Sequence, residues 1–65
     1  MKGIIESITD RDATTTIIRI EAPGRSVLVP MDHRTFCRLA RHAGYDLFGR
    51  LVETDGLTIE FLESS

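Results

Sequence analysis

Hydrophobic positions along this chain change period twice. Residues 3–9, Gly3-Ile4-Ile5-Glu6-Ser7-Ile8-Thr9, are short and β-branched and predict a first strand. The polar cluster Asp10-Arg11-Asp12-Ala13 breaks it. Residues 14–21 are almost pure strand material, with Thr16, Ile18 and Ile20 on one face and Ile17, Arg19 and Glu21 on the other. Ala22-Pro23-Gly24 turns the chain into a third strand over 25–29, which Pro30 ends because it has no N–H for a ladder. The period then lengthens. Phe36, Leu39, Ala40 and Ala43 fall at i, i+3, i+4 and i+7, Asp32 stands where an N-cap belongs, and Gly44 stands where a helix terminates. The spacing predicts a helix over 33–43. Alternation returns in 47–53 and 57–62, a fourth and a fifth strand joined through Thr54-Asp55-Gly56, while Glu63-Ser64-Ser65 is expected to fray.

Three strands, a helix and a two-strand hairpin make a single mainly β domain over 1–65. This order resembles the OB-fold, a small five-stranded barrel, here with one helix between strands three and four. The resemblance runs from Gly3 to Leu62, and Gly3 and Gly49-Arg50-Leu51-Val52 look like the points at which such a barrel curves. Size and spacing are similar to the single-domain barrels of bacterial translation initiation factor one and the cold-shock proteins. An SH3-like barrel normally has only a short 3₁₀ turn where this chain has a full helix. The expected core is Ile4, Ile8, Ile18, Ile20, Val27, Val29, Phe36, Leu39, Leu51, Ile59 and Phe61.

The resemblance implies single-stranded nucleic acid lying across strands two and three, stacked on aromatics beside basic loops. Phe36, Tyr45, Phe48 and Phe61 all fall outside those strands, and Arg19 and Arg25 are the only basic residues near that surface. Backbone contact is therefore expected ahead of base stacking.

Composition changes the picture in three respects. The net charge of −2 gives no global attraction to nucleic acid or anionic lipid, but its distribution is uneven. Arg34, Arg38, Arg41 and Arg50 crowd the middle segment, whereas Glu53, Asp55, Glu60 and Glu63 follow without a positive partner. The single cysteine excludes an internal disulfide and fits a reducing, cytoplasmic setting. No apolar run is long enough to span a membrane, and Met1-Lys2-Gly3-Ile4-Ile5-Glu6 does not read as a secretory signal.

Candidate chemistry is sparse. Arg34, Arg38 and Arg41 stand at i, i+4 and i+7 on one helix face, either a phosphate-tracking surface or the solvated side of an amphipathic helix paired with the acidic hairpin. Arg50, Arg19 and Arg25 could extend it. His33 and Cys37 are one turn apart, but zinc requires at least three protein ligands and Asp32 is needed as the cap, so Cys37 reads as a small half-buried side chain. The pair lacks the third group that would orient a nucleophile. No phosphate loop, calcium loop or serine elbow occurs, and no catalytic residue, metal or cofactor is expected. An apolar excess remains. If Ile4 and Ile8 face the core, then Ile5, Ile17 and Leu28 form an outer patch on strands one to three, unless a bulge turns some of them inward. The expectation is a non-catalytic binding module, monomer or homodimer, that contacts nucleic acid through its arginines or a protein partner through the apolar patch.

Overall fold

A computed structural model describes residues 1–62; residues 63–65, including the expected fray and Glu63, lie outside the described residues. The elements are β1 (Lys2–Asp10), β2 (Thr15–Ala22), β3 (Arg25–Asp32), α1 (His33–His42), β4 (Leu51–Thr54) and β5 (Ile59–Phe61). They form one antiparallel sheet in the order β3-β2-β1-β4-β5, with α1 packed over one face. Pro30 does not end the third strand as expected, because β3 is an edge strand and tolerates a residue without an N–H as it continues to Asp32. Among the described residues no helix is long and apolar enough to cross a membrane.

The sheet is not closed into a barrel, which corrects the expectation of an OB-like barrel. β3 and β5 are its two edges and do not pair. They nevertheless face each other. Met31 of β3 and Ile59–Phe61 of β5 line one hollow of about 500 Å³, and Arg25 and Val27 line another of about 410 Å³ with Thr54, Asp55 and Gly56. A closing ladder fails because the C-terminal strands are shorter than the alternation suggests. Residues 47–50 leave strand geometry, and Asp55–Thr58 forms a four-residue connection rather than a two-residue Asp-Gly hairpin. One carboxylate oxygen of Asp55 accepts the N–H groups of Leu57 and Thr58, both at 2.8 Å, and Thr54 Oγ1 accepts from Gly56 N–H at 3.0 Å. These local bonds draw the chain into a wide turn and leave only three residues for β5.

The core is built on Ile5, Ile18, Ile20, Val29 and Val52 from the sheet, with Ala40, Ala43 and Leu47 from the helix and the segment after it. Ile18, Ile20 and Val29 were expected there. Ile8, Val27, Phe36, Leu39, Ile59 and Phe61 are half-buried and pack against the core, whereas Ile4 and Leu51 face solvent. A β-bulge explains the exchange. Ile5 pairs with Ile20, but Ser7 pairs with Arg19 and Ile8 with Ile18, so one extra residue is accommodated at Glu6. Gly3 and Ile5 therefore face inward before the bulge and Ile8 after it. Gly3 pairs with Val52, which places Ile4 and Leu51 together on the outer face. Gly3 also permits a close approach, since a Cβ there would stand 2.5 Å from the carbonyl oxygen of Glu21.

Asp32 caps α1 by accepting Thr35 N–H at 2.7 Å, as expected. At the other end Gly44 N–H donates to the Arg41 carbonyl at 3.1 Å and Tyr45 N–H to the Ala40 carbonyl at 2.7 Å. This is a Schellman closure with the glycine in its usual left-handed place, φ +64°.

Candidate nucleic-acid interface

The arginines divide by what surrounds them. Arg34, Arg38 and Arg41 are exposed on α1, and none has a carboxylate within ion-pair distance among the described residues, so the acidic hairpin does not neutralise them there. The apolar stripe of Phe36, Leu39, Ala40 and Ala43 explains the arrangement: once it is turned to the sheet, the opposite side of the helix must face water. Asp32 lies near enough to feel Arg34 and Arg38. Its carboxyl is held below the usual range first by the Thr35 N–H and further by those two charges.

The other four arginines stand apart from that face, and Arg11 is exposed between β1 and β2 with no ion pair among the described residues. Arg19 lies on the outer face of β2 between two carboxylates, 3.7 Å from Glu6 and 3.6 Å from Glu21. Glu6 is raised from its ordinary value by the hydrogen bond and charge of Glu21, against the lowering effect of Arg19. Arg25 borders the smaller hollow, beside Asp55. Arg50 is a structural clasp. Its Nε donates to the Asp46 carbonyl at 2.9 Å, a terminal nitrogen donates to the Ala43 carbonyl at 3.1 Å, and the guanidinium lies 5.7 Å from the centre of the Phe61 ring. Of the seven arginines, three thus face solvent together on one helix, Arg11 and Arg25 are exposed singly elsewhere, Arg19 is ion-paired and Arg50 is a clasp.

The remaining sequence candidates separate. Cys37 is exposed, not half-buried, because its position falls beyond the edge of the apolar stripe. Half-buried His33 points to Asp10, with Nε2 3.5 Å from a carboxylate oxygen. No cluster of three His, Cys, Asp or Glu side chains suited to a metal is found among the described residues. The apolar patch is redrawn. Ile5 is buried by the bulge and leaves it, Ile17 is half-buried opposite Pro30, and Leu28 remains 58% exposed.

The other displaced carboxyls serve the fold. Asp12 is lowered by the backbone N–H of Thr14 and by the Thr14 hydroxyl, and Asp55 by the N–H groups of Thr58 and Leu57. Glu53 is lowered by its hydrogen bond to the amino group of Met1.

Two features were not singled out from the sequence. One is the hollow along the edge of α1, floored by Met31, Leu39, Ile59 and Phe61 and bordered by Arg38. The other is the segment between α1 and β4, where Tyr45 is 74% and Phe48 65% exposed. Gly44 and Gly49 bracket that segment in the sequence and are the signal that it is a loop, although alternation alone extends a strand through Phe48. Comparison with known proteins returns nothing: no family model matches the chain, nor does any curated protein or solved structure.

Proposed function

We propose that this chain is a small non-catalytic binding module that holds the phosphate backbone of nucleic acid on the Arg34, Arg38 and Arg41 face of α1. The observation that carries the reading is the contrast among the arginines. Arg19 and Arg50 are satisfied within the fold and Arg11 and Arg25 are exposed singly, whereas these three present guanidiniums to solvent together from one helix face, without a paired carboxylate among the described residues. A net charge of −2 does not oppose this, because at physiological salt a phosphate responds to charges within about 8 Å rather than to the molecular total. The displaced carboxyls are occupied by turns, a helix cap, the terminal amine or a neighbouring carboxyl, which fits a binding role better than acid–base catalysis. The likeness to an OB-like barrel, here with an open seam, belongs to the same proposal. Neither a metal nor a cofactor enters it, and a cytoplasmic setting suits it.

The test is a salt titration with a short duplex and a single strand. Neutralising three or so phosphates should make log K fall with log salt at a slope of about −2 to −3. Arg38→Glu should nearly abolish binding and leave Tm almost unchanged, since the position is exposed. No binding to either nucleic acid at low salt would overturn the proposal.

A second reading rests on the outer sheet face, where Leu28 is exposed on edge strand β3 and Ile4 pairs with Leu51. There the chain would join a protein partner or a second copy. Leu28→Lys should then dissolve the complex measured by sedimentation, with Arg38→Glu neutral.

A further inference from the structure

We infer that the nucleic acid taken by this chain is single-stranded, and that Tyr45 and Phe48 are its base-stacking platform. The inference rests on the proposed function and adds the form of the ligand. It also reverses the sequence expectation that base stacking plays little part. Although strands two and three have no aromatic residue, the structure puts two aromatic side chains in solvent immediately beyond the last turn of the arginine helix.

The loop that holds them is built from within. Arg50 ties the Ala43 and Asp46 carbonyls, Asp46 N–H donates to the Ala43 carbonyl at 3.2 Å, and Gly49 N–H donates to the Ile5 carbonyl at 2.9 Å. Leu47 is turned into the core, 4% exposed, while its near neighbours Tyr45 and Phe48 are turned out. The loop therefore fixes an inner and an outer side, which suits pre-formed stacking surfaces.

Tyr45 carries a second indication. It occupies the position after the Schellman glycine, where a hydrophobic side chain ordinarily packs back on the helix, yet most of its surface is open. Its φ is +65°, the one non-glycine residue with positive φ among the described residues. An aromatic side chain held in a conformation that disfavours it, and not used for packing, is a feature that folding alone does not call for. Its N–H is bonded to Ala40, so its backbone folds against the turn that carries Arg41. Exposed aromatic side chains in the segment that follows Arg41, at the end of the helix that carries the unpaired guanidiniums, offer base-stacking faces in addition to phosphate contacts, as a single strand requires. A duplex keeps its base faces stacked internally and offers only the phosphates.

The chain contains one tyrosine and no tryptophan, so tyrosine emission reports this position alone. Titration with oligothymidylate should quench Tyr45 emission, and a duplex of equal phosphate count should bind through the arginines with much less quenching. Phe48→Ala should weaken binding to the single strand by about tenfold and leave the duplex unaffected. Tyr45→Gly should weaken single-strand binding similarly while Tm holds or rises, because glycine relieves the positive φ. Equal affinity for both forms, with unquenched emission and binding unchanged in both variants, would overturn the stacking platform but leave the phosphate reading intact. Failure of both nucleic acids to bind would overturn the two together.

Discussion

The first half of the chain and the last third are both strand-like in sequence, yet they fold to different degrees. β2 and β3 pair without interruption from Thr15–Asp32 to Ala22–Arg25, and β1 follows β2 through the bulge from Ile4 to Asp10. In contrast, β4 holds β1 only from Lys2 to Ile4, and β5 holds β4 only from Val52–Phe61 to Thr54–Ile59. The first region has β-branched runs and one short proline-glycine turn. The second has glycines at 44, 49 and 56 and side chains that compete for the backbone, so its chain enters loops. The continuously paired region supplies Ile5, Ile18, Ile20 and Val29 of the core, and the second adds Leu47 and Val52 together with the open seam and the exposed aromatics. The exposed aromatics proposed above as a stacking platform lie where the pairing ends.

That contrast can be broken most directly in the core. Ile18→Ala, at a fully buried site of β2, should lose about 2–5 kcal/mol in denaturant unfolding. Ile59→Ala, on half-buried β5, should lose clearly less. Equal losses would mean that the short C-terminal strands are as integral as the meander. Phe36→Ala should fall between them, since its ring is half-buried against the core.

Gly3→Ala comes next. The added methyl would meet the Glu21 carbonyl oxygen and the Ile20 side chain, and backbone on that scale does not yield easily. A loss of about 1–3 kcal/mol is expected by the rule for overpacking. An unchanged unfolding midpoint would show that β1 and β2 can separate there.

Acid should act more gently, through the turns of both regions. Asp12, Asp32, Glu53 and Asp55 all have carboxyls held below their ordinary values by hydrogen bonds. A depressed folded value contributes stability above the unfolded pKa, near 4, that is lost as pH falls through the folded one. Tm should therefore decline below about pH 4. Asp32→Asn, which preserves a capping oxygen, should reduce that dependence more than it reduces Tm at neutral pH.

The smallest effect is expected at Glu6, where the sign is opposite. Its raised value means that the folded state takes up a proton more readily, so its contribution is present at low pH and fades as pH rises through that value. Glu6→Gln removes the repulsion with Glu21 while Arg19 retains a carboxylate, and Tm at pH 7 should hold or rise slightly. A clear fall would show that the Glu6–Arg19 pair dominates the outer face.

What the sequence determined by itself was local. Strand and helix periods, the Asp32 cap, the Gly44 terminus and the inward set Ile18, Ile20 and Val29 all follow from spacing and turn chemistry, which act over a few residues. Exposure of the arginine face followed in the same way from the stripe opposite it. The parity of β1 did not, because a bulge is chosen by the partner strand; one extra residue at Glu6 moved Ile5 inward and Ile4 outward and removed Ile5 from the expected patch. Closure of the sheet was also a tertiary decision, since it depends on whether β5 is long enough to pair with β3, and hydrogen bonds from Asp55 and Thr54 shortened it. Tertiary structure likewise assigned Arg50 to clasp the α1–β4 loop and turned Tyr45 and Phe48 to water. A side chain's exposure depends on what else reaches it, and spacing along the chain does not encode that when the partners come from Ile5 of β1 and Phe61 of β5.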